Sequence, residues 1–77
     1  MYAYNNHEIE PHVIPTDDGR GFVTTVIHIR SGYEVTEFFP CPAIVFPTEK
    51  EATAAAVAVS RGVVDRGYDP SYNPYKE

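Results

Sequence analysis

Three histidines and a single cysteine, with acidic residues nearby, are the side chains in this 77-residue chain best suited to chemistry. His7, His12 and His28 could ligate a metal or act as bases, and Glu8 and Glu10 stand beside the first two. Zinc sites bring imidazole, thiolate and carboxylate donors to one point, usually with tight ligand spacing. A hairpin turn over residues 16 to 21 sets His12 opposite about Thr25 and His28 opposite about Ile9, too far apart to share an ion. The expectation is surface or sheet-face histidines, with no metal and no cofactor. Glu8 and Glu10 then serve as charges that keep a strand edge from pairing with other chains.

Cys41, between Pro40 and Pro42, has no neighbour in sequence of the kind that activates a thiol. As the one cysteine it also excludes an internal disulfide. Asp17-Asp18-Gly19-Arg20-Gly21 lacks the spacing of a calcium loop, and no glycine-rich run ends in Lys-Ser or Lys-Thr. It reads as a turn. No Ser, Lys or Tyr sits in a catalytic pattern, and a chain this short encloses a pocket with difficulty. A non-enzyme is expected.

The elements that position these groups belong to one small domain. A chain of this length buries only about 60 % of its unfolded surface, so its core is marginal unless packing is good or a second subunit helps. The formal charge of −5, with only six Lys and Arg, argues against a general affinity for phosphate backbones. The N-terminus lacks a positive region and an apolar core, and no apolar run approaches membrane length. A soluble, cytoplasmic protein outside the membrane is the expectation, and the lone thiol suits a reducing compartment.

Residues 1–6 and 67–77 are polar and Tyr-rich, holding five of the six tyrosines, and read as flexible tails around a domain over 7–66. HEIEPHVIP reads as an edge strand because Pro11 lacks an amide donor. FVTTVIHIR, rich in β-branched residues, reads as the central strand, and YEVTEFF as the third. A loop of Ser31, Gly32 and Tyr33 sets Ile29 against Val35, Val26 against Phe38 and Arg30 against Glu34. One face then carries Val23, Ile27, Ile29, Val35 and Phe39 for a helix to cover. The other carries Phe22, Val26 and Phe38, more apolar surface than water requires. Residues 43–46 read as a minor edge strand or an extended connection.

Thr48 and Glu51 form a Thr-x-x-Glu capping box, so a helix opens there, and Gly67 is the stronger candidate to close it. At 100° per residue, Ala52, Ala55, Ala56, Val59 and Val63 form the stripe for the sheet. Ala54, Val57, Ala58 and Val64 fall outside that stripe. They are less charged than a solvated flank usually is, and with the Phe22, Val26 and Phe38 face they mark a candidate partner surface.

His12-Val13-Ile14-Pro15, then Asp18-Gly19 and Gly21-Phe22-Val23, and finally Phe46-Pro47-Thr48-Glu49-Lys50-Glu51-Ala52 carry a resemblance over most of residues 7 to 66. The pattern resembles a group of short uncharacterised bacterial proteins in which a small antiparallel sheet precedes a helix with a Phe-x-Thr-x-x-Glu-Ala start. Phe22 stands where such proteins often have Trp. The strand order is also similar to that of the DNA-binding arm domains of phage-type integrases, whose sheet is basic. Here the second strand offers only Arg30, and the third has Glu34 and Glu37. The fold expected is α+β, three to four antiparallel strands with one C-terminal helix on one face. The function expected is a non-catalytic protein-interaction module that self-associates, its partner a protein or a second copy. The alternative is nucleic-acid binding through Phe22, Phe38, Arg20 and Arg30, against which the acidic balance counts.

Overall fold

The computed structural model describes residues 1–40 and 44–68. Four strands, β1 (Tyr2–Tyr4), β2 (His7–Pro15), β3 (Phe22–Ser31) and β4 (Glu34–Phe38), pair antiparallel in sequence order. One helix, α1 (Glu49–Asp65), lies across one face of the sheet. The α+β class with a C-terminal helix is as expected. The added strand is Tyr2–Tyr4, which the sequence reading placed in a tail and which pairs with His7–Ile9. The other tail, apart from Gly67 and Tyr68, lies outside the described residues, as do Cys41, Pro42 and Ala43 of the connection. Within that connection Phe46 makes a single bridge to Phe22 through two 2.8 Å backbone hydrogen bonds.

The first hairpin closes through Thr16, whose amide donates to the Gly21 carbonyl at 2.8 Å. Its hydroxyl donates to Asp18 Oδ1 at 2.8 Å and accepts from the amides of Arg20 and Gly21. The Thr16 hydroxyl and then the Arg20 amide, which also donates to Asp18 Oδ1 at 3.1 Å, hold the Asp18 carboxyl below the usual carboxylate range. The turn over residues 16 to 21 is therefore built as its composition suggests. Beyond it the register departs from expectation. Val13 opposes Thr24 and His12 opposes Val26, so Thr25 is an extra residue on β3, a bulge.

The bulge reverses the side on which β3 presents its residues. Thr24, Ile27 and Ile29 are buried toward the helix, while Val23 and Val26 follow Ile14 and His12 to the open face. Phe22 pairs with Pro15 on the helix side. The second hairpin also differs from the three-residue loop proposed. Ser31 pairs with Glu34 around Gly32 and Tyr33, and Gly32 has φ +63° at the first central position, where type II′ turns place glycine. Phe38 consequently pairs with Ile27 and packs against the core instead of facing away from it, and Thr36 opposes Ile29. Val35 moves to the open face, where it is 49 % exposed.

Thr48 caps α1 by accepting from the Glu51 amide at 3.1 Å. At the other end Tyr68 donates to the Val63 carbonyl and Gly67 to that of Val64, the two bonds of a Schellman motif, with Gly67 at φ +64°. The buried helix positions are Ala52, Ala56, Val57, Ser60 and Val63, while Ala55 and Val59 are only half-buried. Val57 and Val64, expected on an outer flank, turn inward, and Val64 packs against the Ile9, Ile27, Ile29, Ala56 and Val63 cluster. On this side β1 adds a fourth strand to the sheet, and Tyr4 donates to both Asp65 oxygens at 2.8 and 2.9 Å while Arg61 lies over its ring. Ala54 and Ala58 remain exposed.

Candidate functional site

Because α1 covers only one face, the opposite face of the sheet is left open by the described residues. Alternation along the strands sets Glu8, Glu10, His12 and Ile14 of β2 on it, beside Val23, Val26, His28 and Arg30 of β3. Val35 and Glu37 of β4 complete it. Of the residues expected to meet a partner, Val26 is there. Phe22 and Phe38 are not, since the bulge and the tight second turn put both on the helix side. The stacking platform proposed for nucleic acid is thereby dismantled, and Arg20 is held in an ion pair with Asp18 at 2.6 Å.

The same bulge assembles a cluster the sequence reading separated. With Thr25 left over, Glu10 faces His28 and His12 faces Val26, so the two histidines become diagonal neighbours on one face. His12 Nε2 lies 3.1 Å from His28 Nδ1, with the rings edge to face. Glu10 Oε1 lies 3.7 Å from the first nitrogen and 3.8 Å from the second. From the neighbouring strand Glu37 Oε2 stands 3.1 Å from His28 Nε2.

Those distances determine the tautomers of the neutral pair. A carboxylate only accepts, so His28 carries its proton on Nε2 and donates it to Glu37. Its Nδ1 then bears a lone pair, and His12 Nε2–H donates to it. Two carboxylates flank two imidazoles, so the cluster attracts cations and balances part of its charge when the rings are protonated. It is partly open to water, with the His28 side chain 30 % exposed and that of His12 43 %. His7 stands apart, bonded to the Asn5 carbonyl and 5.8 Å from the Tyr68 ring.

A second feature borders the helix. Tyr2 on β1 and Lys50, Ala54, Val57, Ala58 and Arg61 on α1 line an open groove. Ala54 and Val57 thus share a groove, although Val57 is 7 % exposed and belongs to the core. No helix among the described residues is long and apolar enough to cross a membrane. Compared with known protein families, curated proteins and solved structures, the chain matches none of them.

Proposed function

We propose that this chain is a small non-catalytic interaction module that associates with a second copy of itself through the open face of its sheet. The observation that supports this reading is a two-layer fold, helix on sheet, whose second sheet face is uncovered among the described residues. Ile14, 47 % exposed, lies beside half-buried Val23 and Val26, and Val35, 49 % exposed, stands beyond the His28 and Glu37 pair, on a face that no element among the described residues covers. A sheet usually buries an apolar face against another layer. A second copy supplies a further layer, and a core with seven buried apolar residues among those described gains from it.

An isologous pair also suits the charge pattern. The face mixes Glu8, Glu10 and Glu37 with Arg30 and the two histidines, so two-fold related copies can oppose unlike groups. Neither the aromatic platform nor the excess of basic residues that a nucleic acid needs is found on this face. The single cysteine is compatible with a cytoplasmic setting.

Sedimentation velocity over a micromolar concentration series, in chelator so that metals play no part, tests the proposal. The expected result is a reversible dimer that Val26→Lys or Val35→Glu converts to monomer with the circular dichroism spectrum intact. Ala54→Glu, in the groove, leaves the dimer unchanged. A monomer at all concentrations overturns the proposal, and so does a dimer that only the groove substitution disrupts.

A further inference from the structure

We infer that Glu10, His12 and His28 form a binding site for a divalent first-row transition-metal ion, with Zn2+ as its reference ligand. The inference uses the geometry of the open face and does not depend on self-association. The three donor atoms make a triangle with sides of 3.1, 3.7 and 3.8 Å. The point equidistant from them in their plane is about 2.1 Å from each, against roughly 2.0–2.1 Å for zinc–imidazole and 2.0–2.2 Å for zinc–carboxylate bonds. An ion therefore fits among the donors with small side-chain movements.

The donor chemistry selects the class of ion. Two imidazoles and one carboxylate suit zinc, copper or nickel, whereas calcium and magnesium need more oxygen ligands than these residues provide. Three protein ligands leave a fourth position for water or an added group, the pattern of an open zinc site.

His28 is already oriented for ligation. Its Nε2–H points to Glu37, which fixes the tautomer that leaves Nδ1 bare and makes the ring a better donor, as carboxylate–histidine–zinc arrangements do. His12 needs one adjustment. In the metal-free pair its Nε2 carries a proton toward His28, and that proton must move to Nδ1 or to water before the nitrogen can bind metal. The ion then replaces the histidine–histidine hydrogen bond. Glu37 is a positioning residue in this scheme, and Glu10, His12 and His28 are the ligands.

Titration calorimetry of the full chain with Zn2+, and the visible spectrum of the Co2+-loaded protein, test the site. One ion per chain is expected, with a Co2+ spectrum showing nitrogen and oxygen donors in four-coordinate geometry. His12→Ala, His28→Ala and Glu10→Gln should each weaken binding at least tenfold, and Glu37→Gln by roughly ten- to a hundredfold through the tautomer it releases. His7→Ala and Cys41→Ser leave binding as it was. All four ligand-side residues are partly exposed, so circular dichroism should show these variants folded. Absence of saturable Zn2+ binding, or binding lost with His7 or Cys41 but retained without His12 and His28, overturns the inference. A stoichiometry of one ion per chain in dimer-breaking Val26→Lys would support the site even where self-association fails.

Discussion

Thr25 donates its hydroxyl to the His12 carbonyl at 3.2 Å, at the place where β3 holds one residue more than β2. This bond gives the bulge residue a cross-strand partner and helps hold the register on which the open face depends. Thr25→Val removes it with little change in volume and should cost about 0.5–1.5 kcal/mol. For a domain of this size that is a fall of several degrees in Tm. Calorimetry reads the loss, and an unchanged Tm would show that strand pairing alone holds the bulge.

The inner placement of Val57 and the outer placement of Ala54 predict opposite responses to charge. Val57→Lys puts an ammonium at a position only 7 % exposed, on the inner wall of the groove beside Tyr2, and should cost more than about 2 kcal/mol, a large share of a small domain's stability. Ala54→Lys points to water and should shift stability by less than about 0.5 kcal/mol. Urea unfolding of the two variants decides the matter. Equal responses would mean that this flank of the helix is not packed as described.

The contrast between these positions shows what could be read from the sequence. Helix ends are local events. Thr48 with Glu51, and Gly67, act through bonds spanning a few residues, and their signals were plain, although Tyr68, read as tail, makes the second closing bond. The first turn was legible for the same reason. The side on which each strand residue lies is not local, because one bulge changes every position beyond it. Counting outward from the turn gives the right partners for Val13, Ile14 and Pro15 and then fails at Thr25, since no glycine or proline announces the extra residue. The failure displaced Phe22 and separated His12 from His28, and the second turn, tighter than the loop assumed, misplaced Phe38 in a similar way. The helical projection left out Val57 and Val64, which are packed inward beside a sheet that gains a fourth strand, β1, from three residues of apparent tail. An apolar surplus on the helix was the one clue that a further strand lay beside it.

Gly21 is needed for contact rather than for turning. A Cβ added there would overlap the Phe46 carbonyl oxygen, which accepts from the Phe22 amide, and would crowd Val45. Gly21→Ala must push Phe46 off the edge of β3 and lose both bridge hydrogen bonds, about 1–3 kcal/mol in all. Gly32→Ala meets no neighbour but must hold φ near +63°, so its cost of about 1 kcal/mol is backbone strain. Hydrogen exchange separates the two. Gly21→Ala should speed exchange at Phe22 and Phe46, and unchanged protection there would show that the bridge tolerates the added carbon.

Tyr4 and Tyr68 make stability fall in alkali. The bond to Asp65 and then burial raise the Tyr4 phenol above its ordinary 10.0, and burial followed by the charge of Glu34 raises Tyr68. A group whose folded value is raised favours folding fully below its unfolded pKa, so this contribution is intact below pH 10 and declines as pH climbs through the folded values. The two differ in their hydrogen bonds. Tyr4 donates to Asp65, while the buried Tyr68 hydroxyl has no partner among the described residues. At pH 8 Tyr4→Phe should therefore lower the urea midpoint, and Tyr68→Phe should leave it unchanged or raise it, since removing an unpaired buried hydroxyl relieves a desolvation cost. Both substitutions should flatten the decline above pH 10. A midpoint that drops in Tyr68→Phe at pH 8 would mean that its hydroxyl is bonded by residues beyond Tyr68, and an alkaline decline that survives the double substitution would place its origin in other groups.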